Sequence, residues 1–197
     1  MPRVSPRLSR QDRREQLLDT ALAIVRTEGA DGLSLPTLAE AAGVSRPIVY
    51  DHFGTRPGLL VALYRQLADR LRTVSTEALV DAAPTAADIA RVLSTSYLAC
   101  LTEVPEWHAI AAALKGNPEL DAVEGELCDL YAGVMIAALG PYSSLGLDEL
   151  RLRCFGAMGA AEAIGTALNR GRTDIADAIS ALTALILGSV AVNAEVH

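Results

Sequence analysis

A short stretch near the N-terminus, Gly43–Arg56, concentrates side chains that can form hydrogen bonds with a polyanion. Its sequence is GVSRPIVYDHFGTR, with two arginines, a tyrosine and a histidine. Arginine can donate two parallel hydrogen bonds to a guanine edge, and tyrosine and histidine can donate to phosphate oxygens. The apolar residues of the stretch recur at helical spacing. The stretch is therefore either an ordinary surface helix or a helix with one face that binds a specific partner.

Residue spacing divides this stretch into a packing face and an outer face. Val49 and Phe53 are four residues apart and share one side of a helix. We expect them to pack, together with Val44, on the helices that precede them. Gly43 supplies the backbone freedom for a tight turn, so the pattern predicts a helix-turn-helix.

The outer face of the second helix suits the major groove of DNA. Arg46 can form a bidentate pair with guanine O6 and N7, worth about 1–3 kcal/mol of discrimination, and Pro47 and Ile48 can contact thymine methyl groups. Tyr50 and His52 are better placed for phosphates. The predicted DNA-binding residues are Ser34, Thr37, Ser45, Arg46, Pro47, Ile48, Tyr50, His52 and Arg56. The alternative is a three-helix fold without a DNA role, in which these are ordinary surface or half-buried side chains.

Helical periodicity extends along almost the whole chain and predicts an all-α fold. We predict four helices at about 11–27, 34–42, 45–53 and 55–79, and five more at 86–102, 106–115, 119–139, 148–170 and 174–194. Ser34, Ser45 and Thr55 are the expected N-caps. The fourth helix should bury a series of residues that includes Leu67, Leu71 and Val74.

The charge distribution separates a basic N-terminal part from an acidic remainder. The 197 residues carry a net charge of −7. Residues 1–72 hold 11 arginines and 8 acidic residues, whereas residues 73–197 hold 6 basic and 16 acidic residues. A local basic face is sufficient for DNA binding, because counterions are released only where protein meets phosphate. The charge asymmetry suggests two parts with different partners, and we predict domains at residues 1–55 and 56–197.

Several function classes lack the sequence features they require. No stretch is long and apolar enough for a membrane span, and the N-terminus lacks a secretory signal, so we expect a cytoplasmic protein with no membrane partner. Cys100, Cys128 and Cys154 are widely spaced in apolar helices, which favours buried free thiols over disulfides, metal ligands or a redox sensor. No glycine-rich phosphate loop, nucleophile elbow or zinc motif is present. We therefore expect neither an enzyme nor a cofactor.

The segment Leu33–Leu60, LSLPTLAEAAGVSRPIVYDHFGTRPGLL, resembles the N-terminal signature of the TetR family of bacterial transcriptional regulators. The resemblance implies a three-helix DNA-binding domain followed by a helical domain that binds a ligand and dimerises. It also implies a palindromic operator and, in the simplest case, a repressor that its effector releases. An adaptor that uses the helix-turn-helix to bind protein is the alternative. Arg56 replaces the usual lysine, Gly58 replaces a better helix former, and Asp51 adds a negative charge that we leave outside the DNA-binding set.

The C-terminal part offers a dimerisation surface and a candidate ligand site. Its last two helices have wide apolar faces, and Gly156, Gly159 and Ala163 allow close helix approach. We predict a homodimer through these helices. Most aromatic and sulfur-containing side chains of this part would line a pocket for a small, largely apolar effector. The predicted ligand-binding residues are Tyr97, Cys100, Trp107, His108, Tyr131, Met135, Phe155 and Met158.

Five arginines precede or begin the first helix, namely Arg3, Arg7, Arg10, Arg13 and Arg14. They form either a solvated tail or an arm that reaches phosphates or the minor groove. We favour contact with DNA.

Overall fold

A computed structural model of the chain describes residues 8–114 and 118–190. These residues form nine α-helices and no extended strand, so the predicted all-α fold is confirmed. The helices are α1 (Arg10–Gly32), α2 (Leu35–Ala41), α3 (Arg46–Phe53), α4 (Arg56–Val80), α5 (Ala86–Glu103), α6 (Glu106–Leu114), α7 (Pro118–Leu139), α8 (Leu147–Asn169) and α9 (Ile175–Ser189). The predicted last helix ends at Ser189 in the described part of the chain. Among the described residues, no helix is long and apolar enough to cross a membrane.

The chain divides into two compact units. Unit 1 contains residues up to Gln66 together with Glu106–Asp121, and unit 2 contains Leu67–Pro105 and the residues from Ala122 onward. α6 is therefore grouped with the N-terminal helices although it follows α5 in the sequence. The functional boundary that we predict between residues 55 and 56 stays a prediction.

A reciprocal cap, a glycine turn and two buried residues fix the helix-turn-helix. The Ser34 hydroxyl accepts from the backbone N–H of Thr37 and the Thr37 hydroxyl accepts from that of Ser34, which confirms the cap of α2. Gly43 has a φ of +64°, a left-handed conformation that costs glycine little, and this permits the turn into α3. Val49 and Phe53 are then buried at 0% and 8% exposure, as their spacing predicts.

The start of α4 is tied to the end of α1 by Arg56. Its Nε donates to the Leu33 carbonyl at 2.8 Å and its Nη2 donates to the Ala30 carbonyl at 2.6 Å. The Asp31 carboxylate lies 3.8 Å from the same Nη2. A cationic donor at carbonyls that end a helix stabilises them by both hydrogen bonding and charge. Arg56 therefore fixes the connection between α1 and α2 relative to α4.

The first turn of α4 is close to the end of α3. The Thr55 hydroxyl accepts from the Gly58 N–H at 3.1 Å, so the predicted cap is confirmed. A Cβ at Gly58 would lie 2.4 Å from the Phe53 carbonyl oxygen. Glycine therefore permits this close approach.

The prediction of which α4 residues are buried is wrong at Val74. Val74 is 39% exposed, whereas Ser75 is fully buried. Ser75 lies four residues after the buried Leu71 and therefore on the same side of the helix. Helix geometry selects the buried position here, although the valine is the more hydrophobic residue.

α6 packs on α1 within unit 1. Arg26 of α1 donates from Nε to Oε1 of Glu106 at 2.7 Å, and the Glu106 side chain is only 5% exposed. The second oxygen, Oε2, is buried with no hydrogen-bond partner among the described residues. The rings of Tyr64 and Trp107 are 5.2 Å apart. One ion pair and one aromatic pair thus join α6 to α1 and to the N-terminal part of α4.

Unit 2 is built around the mutual contacts of α5, α8 and α9. A Cβ at Gly165 of α8 would lie 2.3 Å from Cδ1 of Leu101 in α5, so the missing side chain lets these helices approach closely. The core that results is almost entirely aliphatic and aromatic, with Leu93, Leu98 and Leu182 nearly inaccessible to solvent. Unit 2 therefore has a well-packed core of its own.

Replacing Arg56 with glutamine should lower the free energy of unfolding by about 1–2 kcal/mol, because two carbonyls lose a charged donor. Urea denaturation measures the change. The matched control is Arg72→Gln, which removes the same charge from an exposed side chain of α4 that pairs with Asp69 of its own helix. Equal effects of the two substitutions would contradict a structural role for Arg56.

Candidate nucleic-acid interface

The outer face of α3 presents side chains that can bind base edges. Arg46 and Pro47 are exposed, and Ile48 and Tyr50 are 38% and 48% exposed. Because Val49 and Phe53 are buried whereas these four residues are exposed, α3 has anchoring residues and accessible residues along one short helix. A recognition helix needs this arrangement, because the residues that read bases must project from a fixed backbone.

Ser45 occupies the N-cap position of α3, but its predicted capping bond is absent. The second helical residue is Pro47, which has no N–H. One of the two usual partners of a capping hydroxyl is therefore missing. The Ser45 side chain is exposed next to Arg46, and its predicted DNA contact stays a prediction.

Ser34 and Thr37 both use their hydroxyl groups at the start of α2. The Thr37 Oγ1 lies 2.9 Å from the Ser34 nitrogen and the Ser34 Oγ lies 3.2 Å from the Thr37 nitrogen. Thr37 is exposed and Ser34 is half-buried. A DNA contact by either residue stays a prediction, and it would have to coexist with the cap.

His52 near the end of α3 is half-buried beside Phe53, with the ring centroids 6.0 Å apart. Burial lowers the pKa of His52 below its ordinary value of 6.5, and the positive charge of Arg10 lowers it further, whereas Asp51 acts in the opposite direction. The imidazole is therefore mainly neutral at pH 7. It can donate one hydrogen bond to a phosphate but contributes little positive charge.

Asp51, the acidic residue of α3, pairs with the first residue of α1. Its Oδ2 lies 3.4 Å from Nη2 of Arg10, and both side chains are largely exposed. Asp51 therefore has an ion-pair partner within the protein, and its exclusion from the DNA-binding set stays a prediction. Arg3 and Arg7 of the predicted arm lie outside the described residues.

The next two arginines of α1 have different partners. Arg13 donates from Nη1 to Oε1 of Gln16 at 2.6 Å, within its own helix. Arg14 donates from Nη1 to the main-chain carbonyl of His52 at 3.0 Å, and its Cζ lies 5.0 Å from the ring centroid of Phe53. Arg14 thus contacts the C-terminal end of α3. Whether these arginines bind DNA stays a prediction.

Arg56, the last residue of the predicted set, donates to the carbonyls of Ala30 and Leu33. Its side chain is 37% exposed. A phosphate contact stays a prediction, and it would be made by a guanidinium that already binds main-chain oxygens.

Four of the predicted ligand-binding residues lie around one small cavity in unit 2. The cavity has a volume of about 10 Å³ and is lined by Leu93, Tyr97, Tyr131, Met135, Ala157, Met158, Ala161, Leu182 and Ile186. This volume accommodates no more than about one water molecule. The lining is apolar except for two tyrosines, whose ring centroids are 6.3 Å apart.

The other four predicted ligand-binding residues do not line this cavity. Cys100 is buried in the same hydrophobic core, and Phe155 packs against that core while the Arg151 guanidinium lies 5.9 Å from its ring. Trp107 and His108 lie in α6 and belong to unit 1. Ligand binding by any of the eight residues stays a prediction.

Ser75 is a polar neighbour of this cavity that sequence reasoning missed. Its hydroxyl lies 3.1 Å from the Tyr131 hydroxyl, and both residues are buried. Burial raises the pKa of Tyr131 to about 12, although the Ser75 hydrogen bond acts in the opposite direction. The four-residue spacing from Leu71 could have identified Ser75, because it places the serine on the buried side of α4.

The three cysteines are free thiols. Cys100 and Cys154 are buried and Cys128 is half-buried. Burial raises the pKa of all three thiols, that of Cys154 to about 11. Thiolate, the reactive form, is therefore disfavoured. Within the described ranges, no group of three His, Cys, Asp or Glu side chains could hold a metal ion.

Sequence comparison identifies a family model and relatives that match part of the chain. A family model described as "Bacterial regulatory proteins, tetR family" matches residues 17–63. The HTH-type transcriptional regulator BetI of Rhizobium meliloti is 30% identical over 87 residues, which are 44% of this chain and 43% of BetI. The HTH-type transcriptional activator FasR of Mycolicibacterium smegmatis is 35% identical over 65 residues, 33% of this chain and 30% of FasR. The chain therefore matches less than half the length of these curated relatives.

Structure comparison extends the similarity to both units. The multidrug binding protein EbrR, solved in complex with imidazole, has a TM-score of 0.70 and 25% identity, with 100% of each chain covered. A TetR-family transcriptional regulator from Rhodococcus sp. has a TM-score of 0.73 and 23% identity, covering 92% of this chain and 100% of that one. At that identity the second likeness shows the fold alone. Residues 17–63 thus match the tetR family of bacterial regulatory proteins, and the described helices share their fold with solved structures that include a TetR-family regulator.

Proposed function

We propose that this protein is a DNA-binding transcriptional regulator that recognises a palindromic operator as a homodimer. The accessible face of α3 carries this proposal: Arg46, Pro47, Ile48 and Tyr50 project from a helix that Val49 and Phe53 anchor. Two relatives that match part of the chain are named as an HTH-type transcriptional regulator and an HTH-type transcriptional activator, which supports it. A regulator of this kind acts where the bacterial chromosome lies, so we place it in the cytoplasm.

Each side chain of this face has a distinct role in the proposed complex. Arg46 would bind guanine O6 and N7, while Pro47 and Ile48 would contact thymine methyl groups. Tyr50 would donate to a phosphate and fix the register of the helix without reading sequence. The Ser45 hydroxyl, which makes no capping bond, would add a further donor at the start of the helix.

Dimerisation would use the exposed faces of the last two helices, α8 and α9. On α8, Leu152 is 70% exposed, and Gly156, Gly159 and Ala163 continue the same exposed side. Gly159 and Ala163 also line an open groove of about 390 Å³. On α9, Leu185 is 47% exposed. Exposed apolar faces with small residues allow close packing of a second chain, and a two-fold dimer presents two recognition helices to the two half-sites of a palindrome.

The effector would bind at the cavity of unit 2 as a small, largely apolar molecule. The present volume of about 10 Å³ is too small for such a molecule, so binding requires the cavity to widen. Met135 and Met158 line it, and methionine side chains repack easily. The buried hydroxyls of Ser75 and Tyr131 would offer one polar contact in an otherwise apolar site.

We propose that the protein represses transcription and that the effector releases it. In the DNA-bound dimer the two recognition helices are about 34 Å apart, one turn of DNA. An effector that prefers another spacing lowers operator affinity by its differential binding to the two states. α4 contributes residues to both units and is the proposed connection.

Wild-type protein should shift DNA from its own upstream region, and Arg46→Ala should weaken binding about 5- to 150-fold through the loss of a bidentate guanine contact. Electrophoretic mobility shifts at a fixed salt concentration measure both. Arg91→Ala, which removes the same charge from an exposed side chain of α5, is the control. Absence of any shift at low salt would favour a protein-binding adaptor, and equal effects of the two substitutions would refute base readout by Arg46.

Size-exclusion chromatography with light scattering should give twice the chain mass for the wild type. Ala163→Glu should give monomers, because the proposed interface would bury an unpaired carboxylate. Ala87→Glu, at another exposed alanine, should leave the dimer intact. A monomeric wild type at micromolar concentration, or a dimeric Ala163→Glu variant, would contradict dimerisation through α8.

A panel of small alkyl and aromatic compounds should include molecules that raise the melting temperature and lower DNA affinity. At 100 times its Kd, such a compound stabilises the folded state by about 2.7 kcal/mol. Ala157→Leu should abolish the effect, because it fills the cavity. Compounds that bind the variant and the wild type equally would show that the effector site lies elsewhere. Compounds that strengthen DNA binding would show that the effector promotes operator binding and does not release it.

A further inference from the structure

Arg14 is the one arginine at the start of α1 for which the described residues show a contact with the main chain of α3. Its Nη1 donates to the His52 carbonyl at 3.0 Å, across 38 residues of sequence. Its Cζ lies 5.0 Å from the ring centroid of Phe53. The hydrogen bond is partly buried, in contrast to the exposed pairs that Arg10 and Arg13 make.

The acceptor is one of the last carbonyls of α3, which ends at Phe53. The last four carbonyls of a helix lack partners within the helix and carry its negative dipole end. A guanidinium supplies both a donor and a positive charge at this position. The same group lies over the ring of the buried residue that anchors α3, where a cation–π contact adds to the attraction. Arg14 therefore binds the backbone and the anchor of the recognition helix together.

The other two described arginines of this segment lack such contacts. Arg10 pairs with the Asp51 carboxylate at 3.4 Å, and both side chains are largely exposed. An exposed ion pair of this kind contributes little to stability. Arg13 donates to Gln16, one turn further along α1, so it does not restrain α3.

We propose that Arg14 is a positioning residue that fixes the orientation of the recognition helix, and that it is not a phosphate ligand. This inference rests on the proposed function. It separates Arg14 from the other arginines of the arm, for which contact with DNA remains the prediction. A positioning residue determines how well α3 fits the DNA sequence that it recognises. A phosphate ligand instead contributes to the binding of any DNA sequence.

The experiment uses the full-length protein and two DNA probes. The specific probe is the duplex that wild-type protein enriches from a random-sequence library, and the non-specific probe is a duplex of equal length that it does not enrich. We expect Arg14→Gln to weaken binding to the specific probe about tenfold, the effect of losing one hydrogen bond to a charged group. Binding to the non-specific probe and the salt dependence of both affinities should stay at wild-type values.

A phosphate contact predicts a different result for the same substitution. Affinity for both probes would fall, and the slope of log K against log salt would decrease in magnitude by about 0.9. That outcome would overturn the proposal. Arg13→Gln provides the comparison, since it removes an equal charge one residue earlier, and any effect it has on DNA binding should appear as such a change of slope.

Arg14→Lys tests the same point with the charge retained. Lysine lacks the planar fork that donates to a carbonyl while lying over a ring. We expect it to lose specific affinity as Arg14→Gln does, and full retention would overturn the proposal.

Hydrogen exchange provides a readout that does not involve DNA. Amides of Arg46–Phe53 should exchange faster in both Arg14 variants than in Arg13→Gln, while exchange in α8 should be unchanged in all three. Unchanged exchange in α3 would overturn the inference even if DNA affinity fell. If wild-type protein enriches no duplex at all, the proposed function fails, whereas a phosphate-like result for Arg14 leaves the proposed function intact.

Discussion

The burial of Val49 and Phe53 is the constraint on which the candidate interface depends. These residues are four apart and nearly inaccessible, so they fix the rotation of α3 about its own axis. With α3 held in that rotation, Arg46, Pro47 and Tyr50 are exposed to solvent. The left-handed Gly43 makes the arrangement possible, because the turn brings α3 against α2 within a few residues.

Arginine performs two different tasks in unit 1. Arg14 and Arg56 donate to main-chain carbonyls near the ends of α3 and α1, whereas Arg46 is exposed on the outer face of α3. The basic surplus of the N-terminal part is therefore not a simple measure of its affinity for phosphate. Two of these arginines donate from their planar guanidinium groups to carbonyls near helix ends, which the helix itself leaves without hydrogen-bond partners.

Unit 2 combines a tightly closed interior with an exposed apolar exterior. The cavity among Tyr97, Tyr131, Met135 and Met158 is almost filled by its own side chains, whereas Leu152 and the small residues of α8 remain at the surface. Dense packing makes any widening of the cavity a displacement of whole side chains or helices. The effector that we propose for this cavity would therefore have to change the conformation of unit 2 in order to bind.

The sequence by itself determined the helical fold class, the helix-turn-helix and the outward residues of α3. Those features follow from local rules, namely periodicity, caps and a glycine turn, and each is encoded within a few consecutive residues. Only the tertiary structure decided the partners of Arg14 and Arg56, the burial of Ser75 against Tyr131, and the grouping of α6 with α1. These contacts join residues 23 to 56 positions apart, or helices from distant parts of the chain. Neither periodicity nor local spacing carries information about which distant carbonyl or hydroxyl a side chain will meet, because that depends on how the helices pack.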